Sequence, residues 1–191
     1  MDKRIVFDIE TVRFNWDEHA DMLPNFSCGE EDEHKALGQY FNGCTKCSDS
    51  KLYIVRHKTS NEVIGLFALS CSSVTRTEPA TAYSSSPDVV PAIELKAFAL
   101  SEDYQHKTLD GFEDRITIGD IVIGLVKSQV KWIVDNVCGA RYIILYSVDS
   151  AINFYSRNGF VSFNEYVFST PSNYSDGCTG MFMSMFRRVP A

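Results

Sequence analysis

Ala151-Ile152-Asn153-Phe154-Tyr155-Ser156-Arg157-Asn158-Gly159-Phe160 is the most informative stretch of this 191-residue chain. It follows a β-rich run at residues 141–146 and reads as a short helix, predicted at 150–157. A second stretch belongs with it: Phe98-Ala99-Leu100-Ser101-Glu102-Asp103-Tyr104-Gln105-His106-Lys107. It reads as the end of a strand, predicted at 89–100, running into a polar loop at 102–117. That loop feeds the clearest helix of the chain, predicted at 118–138.

The long helix rests on Ile118, Ile121, Val122, Leu125, Val126, Val130, Ile133, Val134 and Val137, which recur at helical spacing. Thr117 and Asp120 form a capping pair at its start, with Asp where Glu is favoured, and Gly139 supplies the stop. Upstream, residues 3–10, 52–56 and 63–70 are apolar and β-prone. The turn signal Lys58-Thr59-Ser60-Asn61 makes the last two a hairpin. Residues 34–41 read as a helix led by acids, which its N-terminal dipole favours. Residues 75–88, rich in Ser, Thr and Pro, read as a long loop. Late strands are predicted at 160–168 and 181–186. The order is strand, helices, three strands, long helix, strand, short helix and two strands. It describes one mixed α/β domain over 1–191.

Composition bounds the function. With 45% hydrophobic residues and a net charge of −7, the chain is an ordinary globular protein able to bury a core. Residues 1–50 hold 11 acids and 5 bases, a net −6, and residues 51–191 are nearly balanced at −1. The global positive field of a typical nucleic-acid binder is absent. The longest apolar run, 63–69 counting Gly65, is far short of the about 20 residues that a membrane span needs. The N-terminus lacks the apolar core of a signal peptide. The expectation is a cytoplasmic chain with no membrane role, whose six cysteines (Cys28, Cys44, Cys47, Cys71, Cys138 and Cys178) are reduced thiols. Cys44-Thr45-Lys46-Cys47 is a CxxC, but no second CxxC or HxxxH completes four ligands, so it reads as a plain loop and no metal is expected.

Together the two stretches resemble the GNAT superfamily of acyl-CoA N-acyltransferases. The family has a strand end, then Tyr-(Arg/Gln)-Gly-x-Gly, then a helix, and further on Ala-x-x-x-Tyr-x-x-x-Gly-Phe. Ala151, Tyr155, Gly159 and Phe160 match the second pattern. Phe26-Ser27-Cys28-Gly29 and Gly65-Leu66-Phe67-Ala68-Leu69-Ser70 look like elements of the subgroup that includes bacterial toxin–antitoxin GNAT toxins. The implied fold is α/β: a mixed, largely antiparallel sheet, flanked by helices and splayed at the cofactor cleft between the strands ending at Leu100 and Tyr146. The implied activity is transfer of an acetyl group from acetyl-CoA to a primary amine.

The resemblance also implies a site. The family's glycines let backbone approach the coenzyme pyrophosphate near a helix N-terminus, where N–H groups are exposed. That assigns coenzyme contacts to Phe98, Ala99, Leu100, Gln105, His106, Lys107, Ile118, Gly119 and Asp120, and to Asn153 and Arg157 in the short helix. Here Lys107 is followed by an insertion at 108–114 rather than by Gly. Of the expected glycines only Gly119 remains, and Asp120 brings a carboxylate near an anion. Val148 stands where the family often has Asn.

Three catalytic roles follow. Leu100 N–H would donate to the oxyanion. Tyr155, whose phenol has a reference pKa of about 10, would protonate the leaving thiolate. Glu94, six residues before Leu100, would take the amine's proton. Each has a plain reading beside it: Tyr155 as a core-edge aromatic, Glu94 as the ion-pair partner of Lys96 or Lys107, and His106 as a surface histidine. The acceptor is open between a small polyamine or amino compound, a protein amine and the amino group of an aminoacyl-tRNA. The toxin-like elements imply tRNA and an antitoxin as partners, while the charge balance favours a cationic amine. A third reading is a non-catalytic acyl-CoA-binding or partner-binding module.

Overall fold

The computed structural model describes residues 8–24, 26–29, 32–44, 49–77, 88–108, 116–169 and 177–186. Its strands are β1 (Ile9–Arg13), β2 (Lys51–His57), β3 (Val63–Arg76), β4 (Asp88–Leu100), β5 (Tyr142–Ser147), β6 (Val161–Ser162), β7 (Val167–Phe168) and β8 (Thr179–Ser184). Its helices are α1 (Trp16–His19), α2 (Asp32–Cys44), α3 (Ile118–Asn136) and α4 (Ile152–Arg157). The described strands follow the order β1-β2-β3-β4-β5-β8-β6, with β7 beside β3. Pairs β1–β2, β2–β3, β3–β7, β5–β8 and β6–β8 are antiparallel, and β4–β5 is parallel. A parallel pair needs a long crossover, which α3 supplies.

The chain divides into two compact units, Met1–Leu69 with Lys96–Lys127, and Ser70–Leu95 with Ser128–Ala191. In the first, the predicted hairpin forms: Asn61 turns the chain with φ +59, and Tyr53 faces Phe67 across β2–β3 with stacked rings 4.9 Å apart. Its core gathers Leu23, Cys28, Phe41, Leu52, Ile54, Leu66, Ala68, Ala97 and Ala99. In the second, Val74, Ala92, Tyr142, Ile144 and Val167 form a core, with Val90, Phe163 and Phe182 packed on it. There the parallel ladder joins only Ala92–Leu95 to Tyr142–Leu145 and stops five residues short of the end of β4.

Several boundaries differ from the sequence reading. The first strand is Ile9–Arg13, not 3–10, because its ladder runs from Ile9–His57 to Arg13–Tyr53; residues 1–7 lie outside the described ones. The second helix is longer than 34–41, spanning Asp32–Cys44. β3 continues to Arg76, into the predicted loop, because β7 pairs with Thr75 and Arg76; residues 78–87 of that loop lie outside the described ones. The loop at 102–117 starts with a 3-10 turn over Glu102–Tyr104, and an antiparallel bridge joins Thr108 to Thr117. The insertion residues 109–115 lie outside the described ones.

The strand expected at 160–168 is two short strands with different partners, β6 on β8 and β7 on β3. Asn164 breaks it, since its side-chain oxygen accepts from the N–H groups of Tyr166 and Val167. The long helix ends at Asn136 rather than 138, and Gly139 is not its stop. Val137 and Cys138 N–H both close on the Ile133 carbonyl, and Val137 is exposed. Cys44 ends α2, and residues 45–48, with Cys47, lie outside the described ones. Cys28, Cys71, Cys138 and Cys178 form no disulfide among the described residues. Among the described residues no helix is long and apolar enough to cross a membrane, and no cluster could hold a metal ion.

Candidate active site

In the first unit the end of β4 is tightly held. Alternation buries Ala97 and Ala99 in the core, leaves Phe98 and Leu100 half-buried on the other face and exposes Lys96. Gly65 lies directly against this end: a Cβ there would sit 2.8 Å from the Ala99 carbonyl oxygen. Ser101 N–H donates to the Ile64 carbonyl at 2.9 Å. The glycine of the Gly-x-x-Ala-Leu-Ser element is thus a close-approach glycine.

The chain then enters the loop that the sequence resemblance assigns to the coenzyme. Tyr104 is buried, and its hydroxyl donates to Glu62 at 2.8 Å. Burial, and then Glu62, push its phenol well above the ordinary range. The Lys107 ammonium lies 5.2 Å from the Tyr104 ring centroid. Gln105 turns its side chain inward, donating to the carbonyls of Cys28 (2.7 Å) and Leu100 (3.1 Å). His106 has φ +57, the left-handed conformation, at the place where the family pattern puts glycine.

The start of α3 is a capping box. Thr117 N–H donates to the Asp120 carboxylate at 2.9 Å, and Asp120 N–H to the Thr117 hydroxyl oxygen at 3.2 Å. Ile118 is buried, and its N–H is taken by the Lys107 carbonyl. The capping pair read from the sequence therefore forms. It also sets Asp120's negative charge at the helix N-terminus, next to Gly119, where an anion is most favoured.

In the second unit Glu94 is a buried acid on β4, paired in register with Ile144. The Ala-x-x-x-Tyr-x-x-x-Gly-Phe element folds locally as its residues dictate. Ala151 closes a 3-10 turn that leads into α4. Gly159 has φ +89, its N–H bonds to the Ser156 carbonyl, and Phe160 N–H bonds back to the Tyr155 carbonyl. This is a Schellman cap, which explains the glycine. Tyr155 and Phe160 are buried edge to face, 5.7 Å apart, and Phe154 lies 5.1 Å from Tyr155. Burial pushes the Tyr155 phenol well above the ordinary range. Asn153 and Arg157 are exposed, with the Arg157 guanidinium 5.1 Å from the Phe154 ring centroid.

The sequence reading missed Glu62, Ser27 and the inward turn of Gln105. Glu62 lies 42 residues from Tyr104 and Cys28 lies 77 from Gln105, so no local spacing announces them. Cys28 is a core residue rather than a nucleophile. Burial raises its thiol above the ordinary value, a backbone hydrogen bond opposes the rise, and Glu102 adds to it.

The fold is shared with solved structures of bacterial toxins. No protein-family model matches the chain, and no curated protein sequence does. Solved structures do match. A tyrosine-to-phenylalanine variant of the toxin AtaT is 18% identical over 93% of this chain and 90% of that one, with TM-score 0.65. AtaTR bound with acetyl-CoA is 19% identical over 94% and 95%, with TM-score 0.64. AtaT complexed with acetyl-methionyl-tRNAfMet is 20% identical over 88% and 98%, with TM-score 0.59.

Proposed function

We propose that the chain is an acetyl-CoA-dependent N-acetyltransferase acting on a primary amine. The observation that carries this reading is α4. Its Schellman cap buries Tyr155 in an aromatic setting that keeps the phenol protonated, at the GNAT position for the acid that serves a leaving thiolate. Bound acetyl-CoA would supply the acyl thioester. The Tyr155 Oη holds a proton at neutral pH and gives it to the leaving sulfur. Leu100 N–H is the oxyanion donor, on a strand end already fixed by Ile64 and Gly65. Glu94 receives the amine's proton, directly or through water.

The phosphate seat fits in part. The left-handed His106 keeps the backbone shape of a glycine loop, and Lys107 adds a cation. Asp120 opposes a phosphate at the helix terminus itself. The reading therefore gives the pyrophosphate to the 105–107 backbone and Lys107, with Phe98 and Ala99 beside the pantetheine arm. Gly119, Asn153 and Arg157 take outer contacts.

A narrower reading makes aminoacyl-tRNA the acceptor and an antitoxin the partner. It is favoured by the fold likeness to AtaT, which is known in complex with acetyl-methionyl-tRNAfMet and with the C-terminus of the antitoxin AtaR. Either reading places the chain in the cytoplasm.

The test is thiol release from acetyl-CoA across polyamines, peptide N-termini and aminoacyl-tRNA. Tyr155→Phe should lower turnover by about 10²-fold and leave acetyl-CoA affinity little changed. Growth arrest on expression, abolished by the same substitution, would select the tRNA reading. Tight acetyl-CoA binding with no release on any amine would replace both with the non-catalytic module.

A further inference from the structure

We infer that Gln105 is a positioning residue that fastens the Ser27–Gly29 segment to the end of β4. A primary amide nitrogen carries two N–H donors, and Gln105 spends both on backbone carbonyls, Cys28 at 2.7 Å and Leu100 at 3.1 Å. Two more bonds lie on the same seam. Glu102 N–H donates to the Ser27 carbonyl at 3.0 Å, and the Ser27 hydroxyl donates to the Glu102 carboxylate at 3.2 Å. Cys28 is buried in the first unit's core with Leu66, Ala97 and Ala99, so the seam joins that core to the loop.

The consequence is specific to one peptide group. The Leu100 carbonyl and the Ser101 N–H belong to the same planar unit. Gln105 holds the first, and the Ile64 carbonyl holds the second at 2.9 Å. With both ends tied, this peptide is held in one orientation, which narrows the turn that the adjacent Leu100 N–H can make about the Leu100 φ. Resting on the proposed acetyl transfer, the Gln105 side chain then acts on turnover through Leu100 while itself touching neither coenzyme nor acceptor.

The test compares Gln105→Met, of similar length without donors or charge, with Gln105→Arg, which restores donors. Iodoacetamide labelling of Cys28 is followed by peptide mass spectrometry, beside kcat and the KM for acetyl-CoA. In Gln105→Met, Cys28 should label about tenfold faster as the two carbonyls lose their partner. Its kcat should fall by about tenfold with KM little changed, and Gln105→Arg should recover both kcat and protection. Unchanged protection in Gln105→Met would overturn the inference, as would equal exposure in both variants. A wild-type chain that transfers no acetyl group would remove the catalytic reading, while the labelling contrast would still decide the clamp.

Discussion

At the scale of single residues, the proposed function and folding compete at Asp120. Its carboxylate closes the capping box of α3, which stabilises the helix, and it stands where a coenzyme phosphate gains most. Asp120→Asn keeps an acceptor for Thr117 and removes the charge. Acetyl-CoA should then bind several-fold more tightly by calorimetry, while thermal stability falls by less than about 1 kcal/mol. Tyr155 and Tyr104 give a second expectation. Both phenols are raised above an ordinary value of 10, so the folded chain keeps protons that the unfolded chain releases at high pH. Their contribution to stability is complete below the unfolded value and is lost as pH rises through the folded one. The urea midpoint should therefore drop above about pH 10, and less steeply in Tyr155→Phe. Turnover should show no alkaline limb from Tyr155 between pH 7 and 9.

At the scale of elements, the strand end depends on Gly65. A methyl group there meets the Ala99 carbonyl oxygen at 2.8 Å, between two hydrogen-bonded strands that cannot easily part. Gly65→Ala should cost about 1–3 kcal/mol in urea unfolding. Gly43, in α2, is the contrast: nothing lies within 4 Å of its Cβ position. There alanine should be neutral or add up to about 1 kcal/mol. Elements also show what could be read in advance. The core stripe of α3 and its Thr117–Asp120 capping pair were legible because their signals are local in the sequence. The division of residues 160–168 into β6 and β7 was not. Asn164 is an ordinary polar residue until its oxygen meets two amides, and the two strands pair with β8 and β3, elements remote in sequence.

At the scale of the whole molecule, charge tests the acceptor. The chain carries −7, and its first 50 residues account for −6 of it. A tRNA acceptor must therefore be held by local cations, and its use should be strongly salt-sensitive. Transfer to aminoacyl-tRNA should fall by at least about tenfold between 50 and 200 mM salt, whereas transfer to a small amine should change little. By itself the sequence determined the class of fold, the long helix with its capping pair, and Tyr155 within its Ala-x-x-x-Tyr-x-x-x-Gly-Phe element. These are local matters: a 3.6-residue period marks one buried face, and a Schellman glycine acts on its own helix. Only the tertiary structure decided that Gln105 faces backbone, that Glu62 holds Tyr104 and that His106 takes the glycine conformation. Most of these depend on hydrogen bonds, and a polar side chain's choice of partner is settled by which chain segments packing brings within about 3 Å of it.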